Sequence, residues 1–132
     1  MARLTAEMKE FIERGREPMI VFVGTASRSG IPNISAKGQF IRIIDDETLA
    51  YADVYSKKTS DNVKQNSHLT MAMMNVKAYK GYQFKGRGSV MESGPLVEAA
   101  RKENPLVKSV TTVKLDEIYL MDYGPKAGEK AG

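Results

Sequence analysis

Residues 4–15 carry Leu4, Met8, Phe11 and Ile12 at i, i+4, i+7 and i+8, the spacing of one apolar helix face, with Thr5 as cap candidate and Gly15 as stop. From Pro18 the period changes. Met19-Ile20-Val21-Phe22-Val23 is a β-branched and aromatic run, apolar at every step, which predicts a strand covered on both faces. Ser27-Arg28-Ser29-Gly30 supplies a hairpin turn, and residues 31–37 should return antiparallel, with Pro32 confining them to an edge or a strand start. Residues 39–44 and 49–54 read as two further strands joined by the polar turn Asp45-Asp46-Glu47. Residues 69–76 predict a strand covered on both sides. In residues 79–91 the alternation is sharper: Tyr82, Phe84 and Val90 share one face, Gln83, Lys85, Arg87 and Ser89 the other. Gly81, Gly86 and Gly88 there predict a bend or bulge. A helix over residues 95–103, with Pro95 at its first position and Pro105 beyond its end, precedes a last strand over residues 108–121.

Strands joined mostly by hairpins, with short helices inserted, predict a mainly β chain folded as a small antiparallel barrel rather than a parallel doubly wound sheet. About six strands are expected, in a single domain spanning residues 1–123, with residues 124–132 as a flexible tail.

One segment breaks the ordinary rules of helix charge. Ser56-Lys57-Lys58-Thr59 follows a strand and opens a predicted helix, so two cations stand where the positive end of the helix dipole normally attracts Asp or Glu. An anion at that point removes the conflict: the cap-type hydroxyl of Ser56, the ammonium groups of Lys57 and Lys58, the Thr59 hydroxyl and the free backbone N–H groups could all face one phosphate. A solvated lysine pair is the plain alternative. Between Ser56 and Asn66 only Val63 is strongly apolar, so packing is not the main stabiliser of this helix.

Composition narrows the chemistry. The 132 residues include no cysteine and one histidine, His68, which leaves no thiolate chemistry or disulfide and argues against a zinc site or a Ser-His-Asp triad. The net charge of +4 favours an acidic partner without choosing one. No apolar stretch reaches membrane-spanning length and the first residues show no signal-type run, so a cytoplasmic location without a membrane partner is expected. Walker A and Rossmann glycine patterns are missing. The methionines Met71, Met73 and Met74 read as core filler. His68 reads as a surface or cap residue.

The order of these pieces resembles the pyridoxamine phosphate oxidase-like split β-barrel flavoproteins, particularly the short FMN-binding members. The resemblance runs from Met8 to Leu120 and is carried by the opening helix and strand, the Ser29-Gly30 hairpin, the strand ending Tyr51-Ala52-Asp53, then Lys58-Thr59-x-x-Asn62, and Gly81-Tyr82-Gln83-Phe84-Lys85-Gly86-Arg87-Gly88. It implies an antiparallel Greek-key split barrel that forms a homodimer with FMN near the interface and exchanges electrons with a small-molecule donor or acceptor. It also implies a site: Lys58 and Thr59 on the FMN phosphate, with Ser56 and Lys57 as neighbours; Ser35, Ala36, Lys37, Asp53 and Val54 near the ring or ribityl chain; Gln83 as a further contact; and Asn62 either there or steadying the helix. Lys37 is the first choice for a cation facing N1 and O2 of the reduced ring. The Arg and His cluster that holds substrate in the pyridoxamine phosphate oxidases is missing, so that substrate is not expected. The family includes flavin reductases, deazaflavin-dependent enzymes and haem-associated proteins, which leaves a deazaflavin as an alternative cofactor.

A rival reading makes the chain a small basic barrel for nucleic acid, with Tyr79, Tyr82 and Phe84 as stacking surfaces and Lys85 and Arg87 on phosphates. A barrel that has lost its cofactor and serves as a structural dimer is a third.

Overall fold

A computed structural model describes residues 2–14 and 19–132. The predicted helix stop at Gly15 and the strand start at Pro18 lie outside the described residues. The elements run α1 (Ala6–Arg14), β1 (Met19–Ala26), β2 (Pro32–Lys37), β3 (Arg42–Asp45), β4 (Thr48–Asp53), α2 (Lys58–Gln65), β5 (His68–Asn75), β6 (Lys80–Met91), α3 (Pro95–Glu103) and β7 (Ser109–Leu120). Among the described residues seven strands, against about six expected, form an antiparallel sheet in the order β2-β1-β5-β6-β7-β4-β3. The consecutive strands β5, β6 and β7, with the earlier β4 beside β7, make the Greek-key order.

The sheet curls around one core but its terminal strands do not pair. No ladder joins β2 to β3 or β4. The gap is bridged instead by a backbone bond from Ala52 N–H to the Gln39 carbonyl at 3.1 Å and by side chains described below. Curvature is set where the glycines stand: the β6–β7 register shifts between Lys85 and Gly86, and a Cβ built on Gly86 would lie 2.2 Å from the Lys114 carbonyl oxygen. Pro32 lies on an edge strand, where its missing N–H costs no ladder bond.

Val23, Tyr51, Met71, Phe84, Val113, Leu115 and Ile118 fill the barrel, and one end is closed by Leu4 ahead of α1 and by Met8 and Ile12 on it. The Phe11 ring meets Tyr82 edge-on, 5.1 Å between centroids. Thr5 caps α1, its Oγ1 accepting from the Met8 N–H at 3.2 Å. A second cluster lies outside the barrel, where α3 sets Val97 and Ala100 against Ala50, Ala52, Val54 and Val110. This is why β4 is buried on both faces.

The both-face covering expected for β1 is found instead on β4. Val21 and Val23 are buried, but Ile20 and Phe22 are 40% and 39% exposed on the outer face. On β5 likewise, Met71 and Met73 point inward while Thr70, Ala72 and Met74 are half-buried. The strand predicted over residues 39–44 begins only at Arg42, because Phe40 adopts φ +51° and turns its ring into the α3 cluster. Residues 128–131 run alongside β7, with Gly128 and Ala131 N–H groups donating to the Leu120 and Ile118 carbonyls, both at 2.8 Å. No helix among the described residues is long and apolar enough to cross a membrane.

Candidate cofactor site

Helix α2 begins at Lys58, one residue later than a Ser56 cap would place it. Lys57 occupies the cap position in helical conformation (φ −108°, ψ −42°), and no side chain caps the helix. The first-turn N–H groups therefore keep their hydrogen-bonding capacity next to two exposed ammonium groups, those of Lys57 and Lys58. Ser56 is diverted sideways: its hydroxyl donates to the Thr59 Oγ1 at 2.9 Å rather than to a backbone amide.

Thr59 is the hub of this end of the barrel. Its side chain is fully buried, and its Oγ1 lies 2.7 Å from Ser35 Oγ and 3.5 Å from the Asn33 amide nitrogen. Burial is a consequence of helix phase: Thr59 and Val63, four residues apart, are the buried pair on α2. Asn62, on the next turn position, donates to Thr25 Oγ1 on β1 at 3.1 Å, so it ties helix to wall.

Ser35 and Lys37 share the inner face of β2, opposite Val23 and Val21. Lys37 does not present a free cation there. Its Nζ lies 2.7 Å from Asp53 Oδ1, with side-chain exposures of 4% and 1%, and Ser109 and Thr111 donate to Asp53 Oδ2 at 3.2 and 3.1 Å. The same ammonium stands 5.4 Å from the centroid of the Tyr51 ring. Burial, with the Asp53 carboxylate adding to it and the Thr111 side chain opposing it, pushes the Tyr51 phenol far above its usual range, and among the described residues its buried hydroxyl finds no partner at full hydrogen-bond geometry.

Ala36 points the other way. It belongs to an outer-face row, Ala36–Phe22–Ala72–Gln83, which crosses β2, β1, β5 and β6 and spans about 14 Å at the usual strand spacing. Val54 packs toward α3. Apart from Val54, turned toward α3, and Asn62, bonded to β1, the residues singled out in the sequence fall into three groups. Ser35, Lys37, Asp53, Ser56 and Thr59 form a polar inner set, Lys57 and Lys58 sit at the helix head, and Ala36 and Gln83 lie on the outer face.

Two cavities adjoin them. One of about 300 Å³ is lined by Ala36, Lys37, Val54 and Ser56 together with Gln39 and Asn104. A larger one of about 760 Å³ opens on the outer face over Gly24, Ile34, Thr70 and Lys85, with His68, Asp116 and Glu117 at its margin, and the buried Thr70 hydroxyl there has no partner. Asn33, Gln39, Asn104, Ser109 and Thr111 are members that sequence reading missed. Asn33 was within reach of it, since period 2 puts it on the face of Ser35 and Lys37. Among the described residues no cluster of acidic, His or Cys side chains could hold a metal.

The same alternation removes the stacking platform needed for nucleic acid: Phe84 is 0% exposed and Tyr82 9%. Tyr79 remains outside, against Tyr123 at 5.9 Å.

A seven-stranded antiparallel barrel, open between its terminal strands and carrying an uncapped cationic helix head beside the opening, defines the split-barrel class. A family model described as pyridoxamine 5'-phosphate oxidase matches residues 4–122. The chain belongs to that family. It is 31% identical over 137 residues to the uncharacterised protein MJ0282 of Methanocaldococcus jannaschii, covering 98% of this chain and 88% of that one. HupZ of Group A Streptococcus is similar in structure, with TM-score 0.78 and 28% identity over 95% of this chain and 99% of that one. An FMN-binding protein of Syntrophomonas wolfei subsp. wolfei shares the fold at TM-score 0.65 and 20% identity, over 80% and 78% of the two chains.

Proposed function

We propose that the protein binds FMN with its phosphate at the head of α2 and serves, as a homodimer, in an oxidoreductase or electron-transfer reaction. The observation that carries this reading is the uncapped start of α2 with Lys57 and Lys58 exposed beside it. That donor set fits a phosphate dianion: first-turn N–H groups supply directed hydrogen bonds, and the two ammonium groups supply charge. Ser35 and Ser56, both half-buried, add hydroxyls at the same end. Thr59 serves behind them, its buried Oγ1 fixing where both serines point.

When bound, FMN supplies hydride or electron transfer. The chain's own part is to bind, orient and shield. Ala36, Val54 and Gln83 are the residues proposed for the ribityl chain and ring, and Lys37 and Asp53 stand behind them. The exposed Phe22 and Ile34 on the outer face, 39% and 69% accessible, suit a second copy of the chain and put the interface next to Ala36.

The test is an absorbance spectrum of the purified protein and an FMN titration of Lys57→Ala/Lys58→Ala. A yellow parent whose folded double variant binds FMN at least about tenfold more weakly supports the reading. A colourless protein that takes up no added FMN overturns it. Mass spectrometry of the released ligand separates FMN from a deazaflavin.

A further inference from the structure

Strand β2 carries no apolar anchor. Its outward residues Ile34 and Ala36 are exposed, its inward residues are Asn33, Ser35 and Lys37, and Lys37 is its only buried side chain. One edge pairs with β1, and no strand among the described residues pairs with the other. Yet β2 holds Ser35, which must meet the Thr59 hydroxyl, to which Ser56 also donates, for the site to exist as described. What fixes the free side of this strand is polar: Ser35 to Thr59 at one point and Lys37 to Asp53 two residues on.

We infer that Lys37 and Asp53 are a charge-neutral positioning pair that clamps β2 to β4 across the split of the barrel and so aligns Ser35 with the head of α2; the inference rests on the FMN reading for its function but not for its geometry. Asp53 is itself held by two hydroxyls of β7, which links the edge strand through β4 to the middle of the sheet. An ion pair this deeply buried is weak evidence for stability, because desolvation offsets most of its attraction; fixing a register is the better-attested use. A second consequence concerns charge. With Lys37 neutralised, the cationic end of the site is confined to Lys57 and Lys58, so it suits one phosphate group and offers no separate seat for an anionic substrate beside Lys37.

The experiment compares the parent with Lys37→Met/Asp53→Asn, which removes both charges with little change of volume, and with Thr111→Val, which removes one donor to Asp53 and keeps the pair. Three quantities are read: amide hydrogen exchange of residues 33–37 in the apoprotein, FMN affinity, and the reduction potential of FMN bound at saturation. The clamp predicts exchange in β2 faster by about tenfold in the double variant and about threefold in Thr111→Val, with β6 unchanged. It predicts FMN affinity falling in the same order and a potential equal to the parent's. Parent-like exchange of β2 in Thr111→Val, or in a folded double variant, overturns the clamp. A lowered potential in the double variant overturns it too, by showing that Lys37 acts on the ring as a cation. If the parent binds no FMN, the cofactor reading fails while the exchange measurement still decides the clamp.

Discussion

Ser35 Oγ lies 2.7 Å from Thr59 Oγ1, joining an edge strand to the first turn of a helix. With Ser56 and Asn33 on the same oxygen, this contact makes a buried threonine the organiser of the side chains proposed to face the phosphate. Thr59→Val keeps the shape and removes the hub. It should cost about 1–3 kcal/mol in denaturant unfolding, as expected when partners of a buried hydroxyl lose it, and should weaken FMN binding. Unchanged stability together with parent-like binding would show that the hub organises nothing.

Tyr51 behaves in the opposite way. Its buried hydroxyl finds no partner at full hydrogen-bond geometry among the described residues, so Tyr51→Phe removes an unsatisfied group from the core and should leave stability equal or raise it by up to about 1 kcal/mol. The pH dependence follows from sign. Burial first, and the Asp53 charge second, raise the phenol in the folded state, so that state keeps its proton where the unfolded chain begins to lose it. This contribution is intact below about pH 10, the ordinary phenol range, and declines as pH rises beyond it. Tyr51→Phe should therefore flatten the alkaline limb of a stability–pH curve. An identical limb in the variant would contradict the assignment.

The acid limb belongs to the opposite end of the barrel. The Lys9 ammonium, by hydrogen bond and then by charge, holds the Asp46 carboxyl below its usual range, with Arg3 assisting; Lys114 does the same for Glu47. Carboxyls lowered in the folded state stabilise it above their ordinary range near pH 4, and the contribution is lost as pH falls through the folded values. The Arg3 and Lys9 pairs join the segment before α1, and α1 itself, to the β3–β4 turn, and the Lys114 pair joins β7 to the same turn. Hydrogen exchange in α1 should accelerate between pH 5 and pH 3 before that of β6, and Lys9→Ala should reduce the difference. Simultaneous loss of both elements would count against a local latch.

Gly86 is a steric prediction. A methyl group there would collide with the Lys114 carbonyl and crowd Val113, at the point where the β6–β7 register shifts. Gly86→Ala should destabilise by at least about 2 kcal/mol in urea unfolding, whereas Gly38→Ala, whose Cβ meets nothing within 4 Å, should change little.

These residues also mark how far the sequence could be read. Local chemistry was legible: the Thr5 cap, the Ser27–Gly30 turn, edge placement of Pro32, the α3 bounds and the two faces of β6 follow from short-range rules. What depends on closure of the barrel was not. Which apolar strand is covered on both faces is decided by where α3 docks, and it docks on β4, leaving Phe22 outside. Lys37 and Asp53 come from different hairpins and meet only across the split, so their pairing has no signature in spacing. Phe40 shortens β3 through a positive φ that nothing in its neighbours demands. Lys57 and Lys58 do stand exposed at the head of α2, with Asp61 as the acidic residue of its first turn, but the cap residue shifted by one, because Ser56 turns to Thr59.

Everything proposed for the site depends on a phosphate at the head of α2. The most direct measurement is a side-by-side equilibrium titration of the apoprotein with FMN and with riboflavin, which differ by that phosphate alone. The account predicts that FMN binds at least about a hundredfold more tightly, the worth of two or more charge-assisted hydrogen bonds, and that 0.5 M salt narrows the gap. Equal affinity for the two, or binding of neither, would contradict it.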